Sequence, residues 1–173
     1  MTTALVIIDM QHGMFTDAVP PHQGEAVLQR CADLLRRARA ADVSVFHVQH
    51  DGPEGDPLHK GTPGFPHHPA VAPKAGEPVI VKQNISAFHG TDFDRQLKSK
   101  GIDRLVVAGM QTEMCIDSAC RAAKALGYRV VLADDAHTTF DTQVLPAERI
   151  VAHHNATLNG AFVELAKSAD IRF

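Results

Sequence analysis

Three residues of this 173-residue chain have the chemistry of a nucleophilic site and hold equivalent places in the sequence pattern. Leu5-Val6-Ile7-Ile8 ends in Asp9, Val79-Ile80-Val81 ends in Lys82, and Leu105-Val106-Val107-Ala108-Gly109 leads into the segment that carries Cys115. Open parallel sheets bind ligands beyond the carboxyl ends of their strands, so a carboxylate, an ammonium and a thiol would meet on one edge. A thiol can attack a carbonyl carbon. Asp9 can take the thiol proton and return it to a leaving group, while Lys82 can lower the thiol pKa or polarise the substrate. With Thr112 as N-cap, Cys115 falls at the third helical position, among unpaired backbone N–H groups and at the positive end of the dipole. That position predicts a stabilised thiolate, and the same N–H groups offer an oxyanion hole.

Each residue taken alone has a plainer role. A lone cysteine in an alanine-rich helix is usually a small core residue, which is how Cys31 and Cys120 read. An aspartate at a strand end commonly caps a loop, and a lysine there commonly reaches solvent. The combination is what matters: a base, a cation and a nucleophile recur at the ends of three strands.

The elements that must position them follow from the apolar pattern. Short apolar runs at Ala4–Ile8, Val43–Val48, Val79–Val81, Leu105–Ala108, Val130–Ala133 and Phe162–Leu165 predict six strands. Most are continuous rather than alternating, as in strands covered on both faces. Between them, Glu25–Ala41 carries an apolar stripe of Val27, Cys31, Leu34, Leu35 and Ala38. Further helices are predicted from Thr91 to Gly101, from Thr112 to Leu126 with Gly127 as its stop, and from Pro146 to Asn159 with Gly160 as its stop. The alternation predicts a three-layer α/β/α, Rossmann-like fold around a six-stranded, mainly parallel sheet, as one domain over residues 1–173.

Asp51–Pro78 breaks the alternation. It holds seven of the ten prolines and five of the twelve glycines, with room for one short helix near His68–Ala72. Long irregular connections inside a domain are usually functional, so 51–78 is expected to be a lid or a subunit contact.

Composition excludes several classes. A formal net charge of −3 does not suit a nucleic-acid surface, and no apolar run approaches the ~20 residues of a membrane span. The N-terminus lacks the cationic start of a secretory signal, so a cytoplasmic location is expected. Three cysteines without Cys-x-x-Cys spacing indicate neither a disulfide framework nor a zinc knuckle. The eleven histidines include His47, His50 and the pairs His67-His68 and His153-His154, but no compact metal-ligand spacing, so no metal is expected. Glycine-rich nucleotide fingerprints are absent as well, so no cofactor is expected.

Taken together, these residues resemble the isochorismatase-like cysteine hydrolases, which include nicotinamidase and N-carbamoylsarcosine amidase. The likeness covers nearly the whole chain. It is carried by Leu5 to Gln11 with Phe15, by Lys82 with Ser86-Ala87-Phe88, by Gly109-Met110-Gln111-Thr112-Glu113-Met114-Cys115-Ile116, and by Gly127-Tyr128 through Asp134-Asp135-Ala136. The resemblance implies that Asp9 is the general acid/base, Lys82 the catalytic lysine and Cys115 the nucleophile. It also implies a non-proline cis peptide at Met110-Gln111, backbone N–H groups of Gln111 and Cys115 as oxyanion donors, and a homo-oligomer, dimer or tetramer. Gln11, Phe15, Asn84, Phe88 and Thr138 lie where pocket residues would be expected.

Two departures narrow the expected reaction. His47-Val48-Gln49-His50-Asp51 stands where nicotinamidases of the family carry an Asp-x-His metal motif, and family members that cleave the vinyl ether of isochorismate typically lack the cysteine. A metal-independent cysteine hydrolase of a small amide or carbamoyl substrate is therefore expected, working through a thioester. Ether hydrolysis, a metal-assisted nicotinamidase, and a non-catalytic α/β module that binds a small ligand with Cys115 as packing are the alternatives. A thiol redox sensor ranks below them, because Cys120 would point roughly 140° around the helix from Cys115.

Overall fold

Each of the six apolar runs overlaps a strand, the last, Phe162–Leu165, only at Glu164 and Leu165. A computed structural model of the chain describes residues 1–16 and 19–173. The strands are β1 (Thr3–Ile8), β2 (Ser44–His50), β3 (Val79–Lys82), β4 (Arg104–Met110), β5 (Arg129–Thr138) and β6 (Glu164–Ala166). They form one sheet in the order β3-β2-β1-β4-β5-β6. Every neighbouring pair is parallel, where the sequence predicted a mainly parallel sheet.

Both faces of the central strands are covered, which explains their unbroken apolar runs. Leu5, Ile7, Val45 and Val106 face α1 (Gly24–Ala40), whose stripe of Val27, Leu28, Cys31, Leu34, Leu35 and Ala38 is buried. On the opposite face Val6, Ile8, Phe46 and Val107 pack with residues of α2 (Phe93–Ser99), α3 (Asp117–Ala125) and α4 (Ala147–Leu158). The helix signals mostly hold. Thr91 Oγ1 accepts from the Phe93 N–H at the start of α2, and Pro146 sits one place earlier than the first helical turn, at the N-cap of α4.

Two strands run longer than their apolar cores. β2 continues past Val48 to His50, and β5 continues past Ala133 to Thr138 through an irregularity in its pairing with β4. Polar residues at these ends are held by the ladder and by side-chain partners rather than by apolar burial, so hydrophobic patterning stops short of them.

The third helix departs from expectation at its start. Thr112–Ile116 is a π-helical turn, and regular α-helix begins only at Asp117. Thr112 is not the N-cap; Gln111 is, without a side-chain cap.

The proline-rich segment carries one 3-10 turn, Pro69–Val71, with His68 as its N-cap. Its remainder is stitched to the chain leaving β1. His12 N–H donates to the Pro66 carbonyl at 2.8 Å, Gly13 N–H to Gly64 at 2.9 Å, and His68 N–H to Met10 at 2.9 Å. Gly64 is required by close approaches on both sides, since a Cβ there would lie 2.4 Å from the Pro57 carbonyl oxygen of the same segment and 3.0 Å from Gly13 Cα of the chain leaving β1.

Candidate active site

Asp9 is the first residue past β1 and has a left-handed backbone, φ 50°. Aspartate tolerates that conformation better than most residues. Its N–H still donates to the Val48 carbonyl, so the turn is anchored while the side chain swings under the strand ends. Lys82 is the last residue of β3, and Cys115 lies in the π-helical turn after β4. All three are buried: Asp9 is 0% exposed, Lys82 1% and Cys115 7%.

The lysine joins them. Its Nζ lies 2.9 Å from Asp9 Oδ2, 3.2 Å from Cys115 Sγ, 3.2 Å from the Asn84 carbonyl oxygen and 3.4 Å from His50 Nδ1. Three N–H donors thus face four acceptors. The Asp9 contact is a close ion pair rather than an aligned hydrogen bond, and neither carboxylate oxygen has a hydrogen-bond partner. An unpaired buried oxygen is costly to retain unless something else is to bind there.

The thiol is not a preformed thiolate, contrary to the sequence-based expectation. Burial, and next the Asp9 carboxylate, push Cys115 up to about 12, and Lys82 opposes them only in part. The helix-dipole argument fails because the residue sits in a buried π-turn facing an anion, where desolvation outweighs the dipole. The Cys115 thiol therefore keeps its proton beside the Asp9 carboxylate. Moving it from sulfur to carboxylate shifts one negative charge within reach of the same ammonium and leaves the net charge of the site unchanged.

His50 completes the polar floor. Burial first, then the nearby Lys82 charge, lower its pKa, so it is neutral at pH 7 and Nδ1 can accept from the ammonium. The sequence reading treated His50 only as a metal candidate; its place at the end of β2, beside the three other strand ends, was the available signal. His47 points to the opposite face, where Nε2 meets Glu77 Oε2 at 2.9 Å. Among the described residues no group of three His, Cys, Asp or Glu side chains converges to hold a metal.

A cavity of about 800 Å³ opens onto Asp9, His50, Gln111 and Cys115. Met14, Leu58, Ile85, Met114 and Phe140 supply its apolar wall, and Asp56 and Asp141 are its further polar side chains. Segment 51–78 thus contributes Asp56, Pro57 and Leu58 directly to the wall.

None of the five residues expected in the pocket is among the residues lining this cavity, and the side chains of Gln11, Phe15, Phe88 and Thr138 have other partners. Gln11 is buried and clamps the loop: its Nε2 donates to the His50 and Phe65 carbonyls, and its Oε1 accepts from the His50 N–H. Phe15 stacks edge-on against His68, and Phe88 packs on Phe93. Thr138 donates its hydroxyl to the His22 carbonyl. Asn84 is exposed and contributes its backbone carbonyl to Lys82.

The turn bearing Cys115 is held from behind. The Met110-Gln111 peptide is cis, and the Gln111 carbonyl accepts from the N–H groups of Met114 and Ile116. Thr112 Oγ1 lies 2.9 Å from His137 Nδ1, and His137 Nε2 lies 2.9 Å from Asn155 Oδ1. Because Asn155 Nδ2 donates to the Asp134 carbonyl, its Oδ1 must accept. His137 is then the Nε2–H tautomer, and the Thr112 hydroxyl donates to Nδ1. This chain of contacts ties the Cys115 turn to α4.

Residues 3–169 match the isochorismatase domain family. This chain belongs to the isochorismatase family. Among its relatives, the isochorismatase family protein YddQ of Bacillus subtilis is 36% identical over 169 residues, covering 94% of each chain. A streptothricin hydrolase of Streptomyces noursei is 38% identical over 145 residues, covering 83% of this chain and 57% of that one. Maleamate amidohydrolase of Pseudomonas putida is 32% identical over 146 residues, covering 75% of this chain and 68% of its own length. The crystal structure of an isochorismatase from Pseudomonas putida superposes with a TM-score of 0.92 at 28% identity, over 98% of this chain and 90% of that one. The isochorismatase-family chain is accordingly a hydrolase with the α/β architecture of its solved relatives.

Proposed function

We propose that this protein is a cysteine-dependent hydrolase of small amide or carbamoyl substrates, with Cys115 as nucleophile, Asp9 as acid/base and Lys82 as the cation that balances both. The observation that carries this reading is the Lys82 ammonium, 2.9 Å from Asp9 and 3.2 Å from Cys115, at the floor of a cavity. The amide-cleaving activities named for the streptothricin and maleamate hydrolases support it.

With a carbonyl seated over Cys115, Asp9 takes the thiol proton as sulfur bonds to carbon. The oxyanion is held by the backbone N–H groups of Gln111 and Cys115. Collapse breaks the carbon–nitrogen bond, and the departing nitrogen takes the proton from Asp9. Water then gives a proton to Asp9 and attacks the thioester; the second collapse frees the acid, and Asp9 returns its proton to sulfur. Lys82 faces the negative charge wherever it lies, on carboxylate or on sulfur, and so flattens each transfer.

Cys115→Ala is expected to stop ammonia release in an amide screen without lowering the melting temperature, and intact-mass analysis of the parent enzyme under turnover should reveal an acylated Cys115. Full activity in that variant would instead favour thiol-independent ether or metal-assisted hydrolysis, and ligand binding without product would favour the non-catalytic module.

The reading includes self-association as a dimer or tetramer. Val19, Ile85 and Met114 of the cavity wall are 64%, 44% and 43% exposed, so apolar surface reaches solvent at the mouth. Light scattering that gives a monomer would remove this part. Segment 51–78 is proposed as a lid or subunit contact.

A further inference from the structure

We infer that the cavity selects amides bearing a positive charge and rejects those bearing a carboxylate, with Asp56 and Asp141 as the selecting residues. The charge inventory of the wall carries this. No lysine or arginine is among the described residues that line it. Lys82 lies beneath the floor, fully occupied by Asp9, Cys115 and two further acceptors. His50 is neutral at pH 7.

Asp56 and Asp141 are uncompensated. Each uses one oxygen locally: Asp56 Oδ1 accepts from the Leu58 N–H at 2.7 Å, and Asp141 Oδ1 accepts from the Ala147 N–H at the start of α4, also at 2.7 Å. Among the described residues neither carboxylate has a salt-bridge partner, and the second oxygen of each forms no hydrogen bond, while both residues line the cavity. Asp9 Oδ1, buried and without a hydrogen-bond partner, adds an acceptor at the floor. Apolar walls lower the local dielectric and strengthen the attraction of a cation. A carboxylate-bearing substrate would enter the same space with no cation to meet it, at the full cost of its lost hydration.

This substrate class rests on the amide-hydrolase reading for its reaction, but the charge selection can be measured without turnover. Methanethiosulfonate reagents form a disulfide with a thiol and release methanesulfinate, so three of matched size serve as probes: cationic trimethylammonioethyl, neutral hydroxyethyl and anionic sulfonatoethyl. Their rates at Cys115, read by peptide mass spectrometry, are divided by their rates with 2-mercaptoethanol. At low ionic strength the cationic reagent is expected to outpace the anionic one by about tenfold or more, with the neutral one between, and salt should narrow the spread. Asp56→Asn with Asp141→Asn keeps both backbone caps and removes both charges, so it should bring the normalised ratio near one with the melting temperature held.

In parallel, kcat/KM is compared for 4-aminobutyramide, butyramide and succinamate, expected to fall in that order. Charge-ordered labelling with no hydrolysis of any of the three would keep the selection and count against the reaction. Preference for the anionic reagent or for succinamate would overturn the inference. So would a cation preference unchanged in the double variant, or a native Cys115 that none of the reagents reaches.

Discussion

Gly109 of β4 faces Ile8 of β1 so closely that a Cβ at 109 would fall 2.1 Å from the Ile8 carbonyl oxygen. Its φ of 129° lies in a region few side chains adopt. The contact sits one residue before Asp9 and one before the Met110-Gln111 peptide, so it sets the approach of the two site-bearing strand ends. Gly109→Ala is expected to destabilise the protein by about 3 kcal/mol through overpacking and backbone strain. Urea titration measures this; an unchanged midpoint would mean that the strands can part here without cost.

Lys82 neutralises a buried carboxylate. Lys82→Met should abolish turnover and destabilise by about 3 kcal/mol, because the variant leaves Asp9 buried without its cation. Adding Asp9→Asn removes the orphaned charge and should recover most of the melting temperature but none of the activity. Recovery of activity in the double variant would remove both residues from the chemistry.

The Asp9 charge opposes ionisation of the Cys115 thiol. Burial raises the thiol first and the Asp9 charge second, to about 12, so alkylation of the native thiol should keep rising with pH through 10 without a plateau near neutrality. Asp9→Asn removes the anionic contribution and leaves the Lys82 contribution that lowers the thiol. The variant should alkylate faster than the parent at any given pH while releasing no product. Slower labelling would reverse the assigned electrostatics.

Acid should loosen the far side of the sheet. Burial, then the charge of His47, lowers His67 from 6.5 to about 4, and burial lowers His47 as well. Histidines held neutral in the folded state contribute their full stability above 6.5 and lose it as pH falls toward 4. Glu77 is raised by burial but lowered more by Arg39, its backbone contact and His47, ending at about 2; its contribution is lost in a second window, from 4.5 toward 2. Melting temperature against pH should show both losses. His67→Phe should flatten the upper window and Glu77→Gln the lower one.

The architecture was legible because apolar runs of four or more residues mark strands buried on both faces, and β1 to β6 are such strands or their short edges. Asp9, Lys82 and Cys115 stand out in the sequence for a related reason: Asp9 and Lys82 directly end such runs, and Cys115 lies in the first turn after one. The cavity wall does not. Asp56, Leu58, Ile85 and Asp141 lie in irregular segments whose course depends on hydrogen bonds such as the Gln11 clamp on Phe65, and no periodicity encodes those. Gln11 itself was assigned to the pocket because it follows the strand; its amide instead meets three backbone groups that the turn leaves without partners. The protonated thiol was illegible too, since a dipole can be read from helix position but burial among neighbours from distant strands cannot.

The sheet order has a consequence for partial opening of the molecule. Lys82 belongs to the outermost strand, β3, yet its ammonium meets Asp9 past the whole of β2, a span of roughly 10 Å between strand axes. That reach ties the counter-ion to a four-residue edge strand with little apolar burial to hold it, since Val79 and Val81 face solvent. Edge strands fray before central ones. With β3 detached, Asp9 and Cys115 would stay on β1 and the π-turn without their cation, so the proposed chemistry would be lost while nearly all of the core is intact.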